Sequence, residues 1–347
     1  MSLLRDHSNI SFTVWIVLTT LVWLLFKFQP HLAELVYGNA IYPVIRFLYD
    51  HTIGLLPWPS VYILLPLWLL YLFGFLHRSR NGKGRLWSFF KRVLIVVGCF
   101  YWLWAFNYMR PSLKSKLGIH IPEVNEEELI CFFEHHCQAA QVLASERKDP
   151  SVKQANTRAI QAEVSEWFNA NGLPAYGNPQ LRSLRPAGVL LGISTAGIFF
   201  PYSLEPHIDA GLHPITQPVT GAHEMGHAFG ITDEGECNYI GAAVCLQSAE
   251  EAIRYSAHVQ IIRWTFYPLL RLGYRADDLR LLIGPSVLAD IKSIRERHDS
   301  FPEYFPYEWR NMIYNTYLKA QGVESGLESY GEVLGMLMAD YLEETAR

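Results

Sequence analysis

Three apolar runs near bilayer length, Ile10 to Phe28, Trp58 to Leu76 and Val93 to Met109, crowd the first 109 residues of this chain. A helix needs ~20 predominantly apolar residues to cross a bilayer, so the pattern predicts a membrane region over about residues 1–110 with three transmembrane helices. Trp58, Tyr101, Trp102, Trp104 and Tyr108 suit the membrane interface or helix packing. The first run is too long for the apolar core of a usual signal peptide, and no small-x-small site follows Phe28, so it reads as an uncleaved anchor. The 347 residues are 50% hydrophobic and 18% charged, and the apolar excess lies in this front part.

Basic residues set the expected orientation. The loop between the second and third runs carries Arg78, Arg80, Lys83, Arg85, Lys91 and Arg92 without an acid, which keeps it in the cytoplasm and puts everything after Met109 outside. The loop between the first two runs, with Arg46 against Glu34 and Asp50, agrees. Arg110, Lys114 and Lys116 oppose the assignment, three basic residues against six. Leu32 to Leu56, broken by Pro43 and Gly54 and carrying charges, is expected along the membrane surface.

Residues 111–347 are long enough for one domain with its own core. Glu126 to Arg147 and Ala155 to Asn169 place apolar residues at helical spacing, and Ser248-Ala249-Glu250-Glu251 resembles a capping box opening a helix toward Leu272. Gly188 to Tyr202, uncharged and rich in Gly, Val, Ile and Phe between its ends, predicts a strand or hairpin. The expected fold is mainly α with a small β element.

Within this domain, His223-Glu224-Met225-Gly226-His227 is an HExxH segment. Residues four apart share one helix face, so both imidazoles can hold one Zn2+ while Glu224 points at a metal-bound water and serves as its base. Thr220 offers a cap ahead of the helix, and Gly230 a stop after it, letting the chain turn back to supply a third ligand. Asp233 gives HExxHxxGxxD, like the metzincin pattern with aspartate last; Glu236 opens a second helix, as in gluzincins. The spacing favours Glu236, because Asp233 followed by an acid three residues later fits a helix cap, yet the two roles can be exchanged.

His223 to Gly230 followed by Glu236-Cys237-Asn238-Tyr239 resembles HExxHxxG…EAN[FY], the signature of a domain-of-unknown-function family of bacterial membrane proteins classed with the zincin-like metallopeptidases. Gly197 to Tyr202 with Glu205, Arg254-Tyr255-Ser256, Tyr314 to Tyr317 leading into Tyr330, and Tyr42-Pro43 through Pro57 resemble its other recurring segments. Cys237 stands where that family usually has alanine. The resemblance implies a three-span protein of the bacterial inner membrane with a zincin-like domain, and no assigned substrate. In zincin folds an edge strand ahead of the metal helix holds the substrate as an added strand, a part that Ile198 to Pro201 would play here.

Tyr255 and His258 are further candidates, as donors to the oxyanion of a tetrahedral intermediate. His135, His136, His207, His213 and His298 lack ligand spacing, and Cys99, Cys131, Cys137, Cys237 and Cys245 show no pairing. A net charge of −4 and the absence of a basic stripe give no cause to expect nucleic acid. The expected function is a membrane-anchored, zinc-dependent peptidase facing the periplasm or exterior, with a peptide or protein substrate in the envelope and membrane lipid as partners. The rival expectation is a non-catalytic envelope scaffold, with or without zinc. An intramembrane protease fits less well, because Pro218 to Glu236 is polar and far from the apolar runs.

Overall fold

The apolar runs at the front form helices whose ends differ from those that composition suggests. The structure, a computed structural model, describes residues 2–74, 82–146, 157–304, 308, 312 and 330–346. Two helices are long and apolar enough to cross a membrane, over Ile10–Phe28 and Gly84–Leu103. The first belongs to α1 (Ser2–Phe28). The run expected at Trp58 to Leu76 contains a helix of 13 residues, Val61–Phe73, with Pro66 inside it. That is roughly 20 Å of helix, short of a hydrocarbon core of ~30 Å. Phe75 and Leu76, like Tyr314 to Tyr317, lie outside the described residues. The third run is displaced toward the N-terminus, forming a helix over Gly82–Leu103 that takes in Arg85, Lys91 and Arg92. It stops early because Asn107 turns its side-chain amide onto the Trp104 carbonyl at 2.8 Å, and Ala105–Met109 tighten into a 3-10 turn.

The chain divides into two units, one of residues 1–111 with 176–179 and 200–205, the other of the remainder. In the first unit, α1 meets the Gly82–Leu103 helix through Trp15 and Trp102, ring centroids 6.0 Å apart, and Trp102 donates to Thr19 Oγ1 at 3.0 Å. With α2 as Tyr42–Asp50, α3 as Val61–Phe73 and α4 as Gly82–Leu103, a buried polar cluster explains the two outlying segments. Arg46, fully buried on α2, donates to Asp50 and to the Leu204 carbonyl. Ser60 donates from its backbone N–H and its hydroxyl to Glu205 Oε2, at 2.8 and 2.9 Å. Asp50 also accepts from the Asn178 N–H at 2.8 Å.

The second unit is mainly helical around a three-stranded sheet. Its helices are α5 (Glu126–Glu146), α6 (Thr157–Ala170), α7 (Gln217–Ala228), α8 (Glu234–Leu246), α9 (Glu251–Arg271), α10 (Ala276–Ile283), α11 (Pro285–Asp299) and α12 (Tyr330–Thr345). The strands β1 (Arg182–Leu184), β2 (Gly197–Phe200) and β3 (Glu205–Asp209) lie in the order β1-β3-β2. β1 runs parallel to β3 with Arg182 opposite His207, leaving β2 on the other edge. The expected strand at Gly188 to Tyr202 is thus β2, preceded by a 3-10 turn at Leu191–Ile193. α7 and α8 bury Met225 and Ile240 completely, each side chain contributing about 1.5–3 kcal/mol.

A second apolar cluster joins α5, α9, α10 and α11, and beside it His136 and His258 meet with Nδ1 atoms 2.8 Å apart. Burial and nearby cationic or imidazole groups push both rings well below the usual histidine range. They stay neutral in the fold and take protons in the unfolded chain. Their contribution is therefore complete above ~6.5 and declines as pH falls, by up to about 1.4 kcal/mol per pH unit for each ring. Thermal unfolding followed from pH 7.5 to about 4.5 should show a falling Tm, and His258→Gln should flatten the curve. A variant curve parallel to wild type would assign the acid sensitivity elsewhere.

Candidate metal centre

α7 carries His223 and His227 one turn apart, ring centroids 4.9 Å from each other. Pro218 suits the first turn of this helix, but its cap is Thr216 and not Thr220, which lies one turn inside. Gly230 ends it with φ of +87°, a conformation glycine adopts without strain. The turn that follows is used at once. Ile231 O accepts the Nδ1–H of His227 at 2.8 Å, and Asp233 Oδ1 accepts from the Glu236 N–H at 2.9 Å as the cap of α8.

The first residue of α8 is the one that reaches the histidines. Glu234 places its carboxylate oxygens 3.2 Å from His223 Nε2 and 3.5 Å from His227 Nε2. Asn238, one turn later on the same face, accepts the Nδ1–H of His223 at 2.9 Å. Both imidazoles are thereby fixed with Nδ1–H engaged and Nε2 turned toward one carboxylate, the arrangement that orients metal-binding histidines.

Glu236, favoured by spacing, is not brought to the histidines. Two residues along a helix amount to roughly 200° of rotation, so with Glu234 facing α7 it faces away. There it accepts from the backbone N–H groups of Lys114, at 2.9 Å, and Leu113, opening the short helix Leu113–Leu117. Asp233 is occupied as the cap. Asp233 and Glu236 match known ligand spacings, and Glu234 does not. The available signal was the pairing of Glu234 with Asn238, four apart, against His223 with His227, also four apart.

Glu224 lies beside the pair, with Oε1 4.0 Å from His223 Nε2, and ligand atoms of His223, Glu224 and His227 all fall within 4.8 Å of one another. Its carboxylate accepts from the Phe199 N–H of β2. Burial pushes its pKa up to about 7 against the opposing pull of the two histidines. Glu224 Oε2 is buried without a hydrogen-bond partner among the described residues, which leaves it free to meet a ligand of the site. Burial opposes a charge on His227, but Cys237 and Glu234 outweigh it and hold the imidazole well above its usual range. Glu234 is also opposed by burial, and the histidines hold it well below the carboxylate range. Two imidazole nitrogens with a carboxylate oxygen are donors that suit Zn2+ with one position open. Cys237 packs behind, its Sγ 3.3 Å from His227 Nδ1.

Gly197 explains how β2 comes so close. A Cβ there would lie 2.6 Å from Glu224 Oε1 and 2.8 Å from the His207 carbonyl oxygen. Gly197→Ala is expected to cost about 1–3 kcal/mol through forced displacement. Thermal unfolding checks this, and an unchanged Tm would mean that β2 yields freely.

Tyr255 and His258 are engaged elsewhere. The Tyr255 hydroxyl donates to Asp290 on α11, and His258 is bonded to His136. Neither hydrogen bond presents a donor to Glu224 or the histidines.

No curated protein and no solved structure matches the chain. A family model described as "Protein of unknown function (DUF3810)" matches residues 37–338, and the chain belongs to that family.

Proposed function

We propose that this protein is a membrane-anchored, zinc-dependent metallopeptidase that hydrolyses peptide bonds of an envelope protein or peptide. The observation that supports this best is the convergence of His223 Nε2, His227 Nε2 and the Glu234 carboxylate, with the buried Glu224 carboxylate alongside. Zinc, when bound by His223, His227 and Glu234, supplies Lewis acidity and lowers the pKa of a coordinated water. Asn238 and Ile231 O hold the two imidazoles, and Glu224, held by the Phe199 N–H, takes up the proton and passes it to the leaving amine. β2 is an edge strand with Ile198 outward and Phe199 buried, so its main chain can receive an extended peptide. Tyr255 and His258 have no part in this reading.

The membrane assignment combines the two long apolar helices with the shorter Val61–Phe73 helix as a third, proline-containing span. Arg78, Arg80, Lys83 and Arg85, ahead of and at the start of α4, support a peptidase outside the cytoplasmic face of a bacterial inner membrane. Metal content tests the centre. The purified full-length protein should carry about one zinc per chain, and His223→Ala or His227→Ala should remove most of it. A folded protein with no metal after growth in zinc-replete medium would overturn the reading.

A further inference from the structure

The first unit contains an apolar cleft of about 570 Å³, largely open to its surroundings, that the peptidase chemistry does not use. One wall is the stripe Leu64, Leu67, Trp68 and Tyr71 of α3, spaced as one helical face; another is Ile95 and Leu103 of α4. Leu64 to Tyr71 is roughly 10 Å along the helix and Ile95 to Leu103 roughly 12 Å, so the space is a slot drawn out along both helices. Phe73 stacks on Phe89 with centroids 6.0 Å apart, while Tyr71 meets Arg92, so the two helices run in opposite directions. Tyr202 also lines it, its ring 5.0 Å from that of Trp68. At the start of α3 the slot is stopped by Tyr49, whose hydroxyl is tied to Ser60 at 2.5 Å.

The two ends differ in charge. At the Tyr71 end the Arg92 guanidinium donates to the Tyr71 carbonyl and stands 4.9 Å over its ring. α4 carries Lys91 and Arg85 as well and no acidic residue. An open apolar groove with a cation at one end and the Tyr49 ring at the other is complementary to one hydrocarbon tail bearing an acidic head. Juxtamembrane arginines and lysines attract anionic lipid heads in the same way.

We propose that the first unit binds an acyl chain with an anionic head group, the chain lying in the slot between α3 and α4 and the head at Arg92. This rests on the membrane part of the reading above and is independent of the zinc chemistry.

The test uses full-length protein in phosphatidylcholine nanodiscs with traces of three photoreactive probes carrying a mid-chain diazirine: a phosphatidylglycerol, a phosphatidylcholine and a fatty acid. After irradiation, labelled residues are mapped by mass spectrometry. The anionic probes should label Trp68 and Tyr202 several-fold above Leu65, Leu69 and Leu70, which are exposed elsewhere on α3. Labelling by the phosphatidylglycerol identifies a membrane lipid as the source, and labelling by the fatty acid alone a free acid; both support the site. Arg92→Gln should lower anionic labelling of the slot about fivefold and leave the phosphatidylcholine signal unchanged. Leu64→Trp, which fills the slot, should abolish slot labelling while Leu65, Leu69 and Leu70 stay labelled. Equal labelling of both sets of residues in wild type, or no preference for the acidic probes, would overturn the proposal. Alkaline carbonate extraction is run alongside: release from native membranes would defeat the membrane reading itself, whereas retention with unselective labelling defeats the lipid site alone.

Discussion

Glu224→Gln is expected to leave a folded, zinc-loaded protein that has lost hydrolysis by about 10²–10⁴-fold, the usual worth of a general base. The substitution keeps size and the acceptor for the Phe199 N–H, so the hydrogen bond from β2 survives. What disappears is the ability to take a proton at the oxygen that has no hydrogen-bond partner among the described residues. Replacing a buried carboxylate with a neutral amide also removes a desolvation penalty, so Tm should be unchanged or higher. The measurement is a comparison of envelope peptides released by cells carrying wild type or variant, together with zinc content and thermal unfolding of the purified proteins. Full complementation of a deletion strain by the variant, with the same peptides released, would remove hydrolysis from the function and favour an envelope scaffold.

The second large effect separates two glutamates two positions apart. Glu234→Ala should weaken zinc binding by more than about 100-fold, the upper range seen when only an outer-shell partner is lost. Glu236→Ala should keep the metal and cost stability instead. Its carboxylate receives the backbone N–H groups of Lys114 and Leu113, and leaving buried donors unsatisfied costs about 1–3 kcal/mol. Competition with a chelator of known affinity measures the first effect and thermal unfolding the second. Zinc lost from the Glu236 variant and retained in the Glu234 variant would return the third ligand to the position that spacing favours.

The approach of Glu234, and not Glu236, to the two histidines shows where the sequence stops being legible. His223, Glu224 and His227 lie within a single helix, and helical geometry alone brings them together. The third carboxylate depends on the rotational phase of a second helix, which is set by where that helix begins. Asp233 was readable as a cap, but the phase that follows places Glu234 toward α7 only once the packing of α7 on α8 is known. The Gly230 stop was legible because positive φ selects glycine. β3 was not: all five of its residues are buried, so it shows no alternation, and Glu205, His207 and Asp209 disguise it as polar loop. The bonds of Tyr255 to Asp290 and of His258 to His136 bridge 35 and 122 positions, and no local pattern announces them. The early end of the Gly82–Leu103 helix rests on one asparagine folding back on its own backbone, which a hydropathy profile does not register.

The segments 176–179 and 200–205 carry a practical consequence for anyone who would separate the second unit from the first. A soluble fragment beginning near residue 112 looks natural from the hydropathy profile, yet it would discard Arg46, Asp50 and Ser60. The Leu204 carbonyl, the Glu205 carboxylate and the Asn178 N–H would each lose the partner those residues provide. Glu205 opens β3, and β2, which ends five residues earlier at Phe200, supplies the N–H that holds Glu224. Truncation would thus fray the hairpin that holds Glu224, so inactivity of such a fragment would report the severed tether and would not test the proposed chemistry.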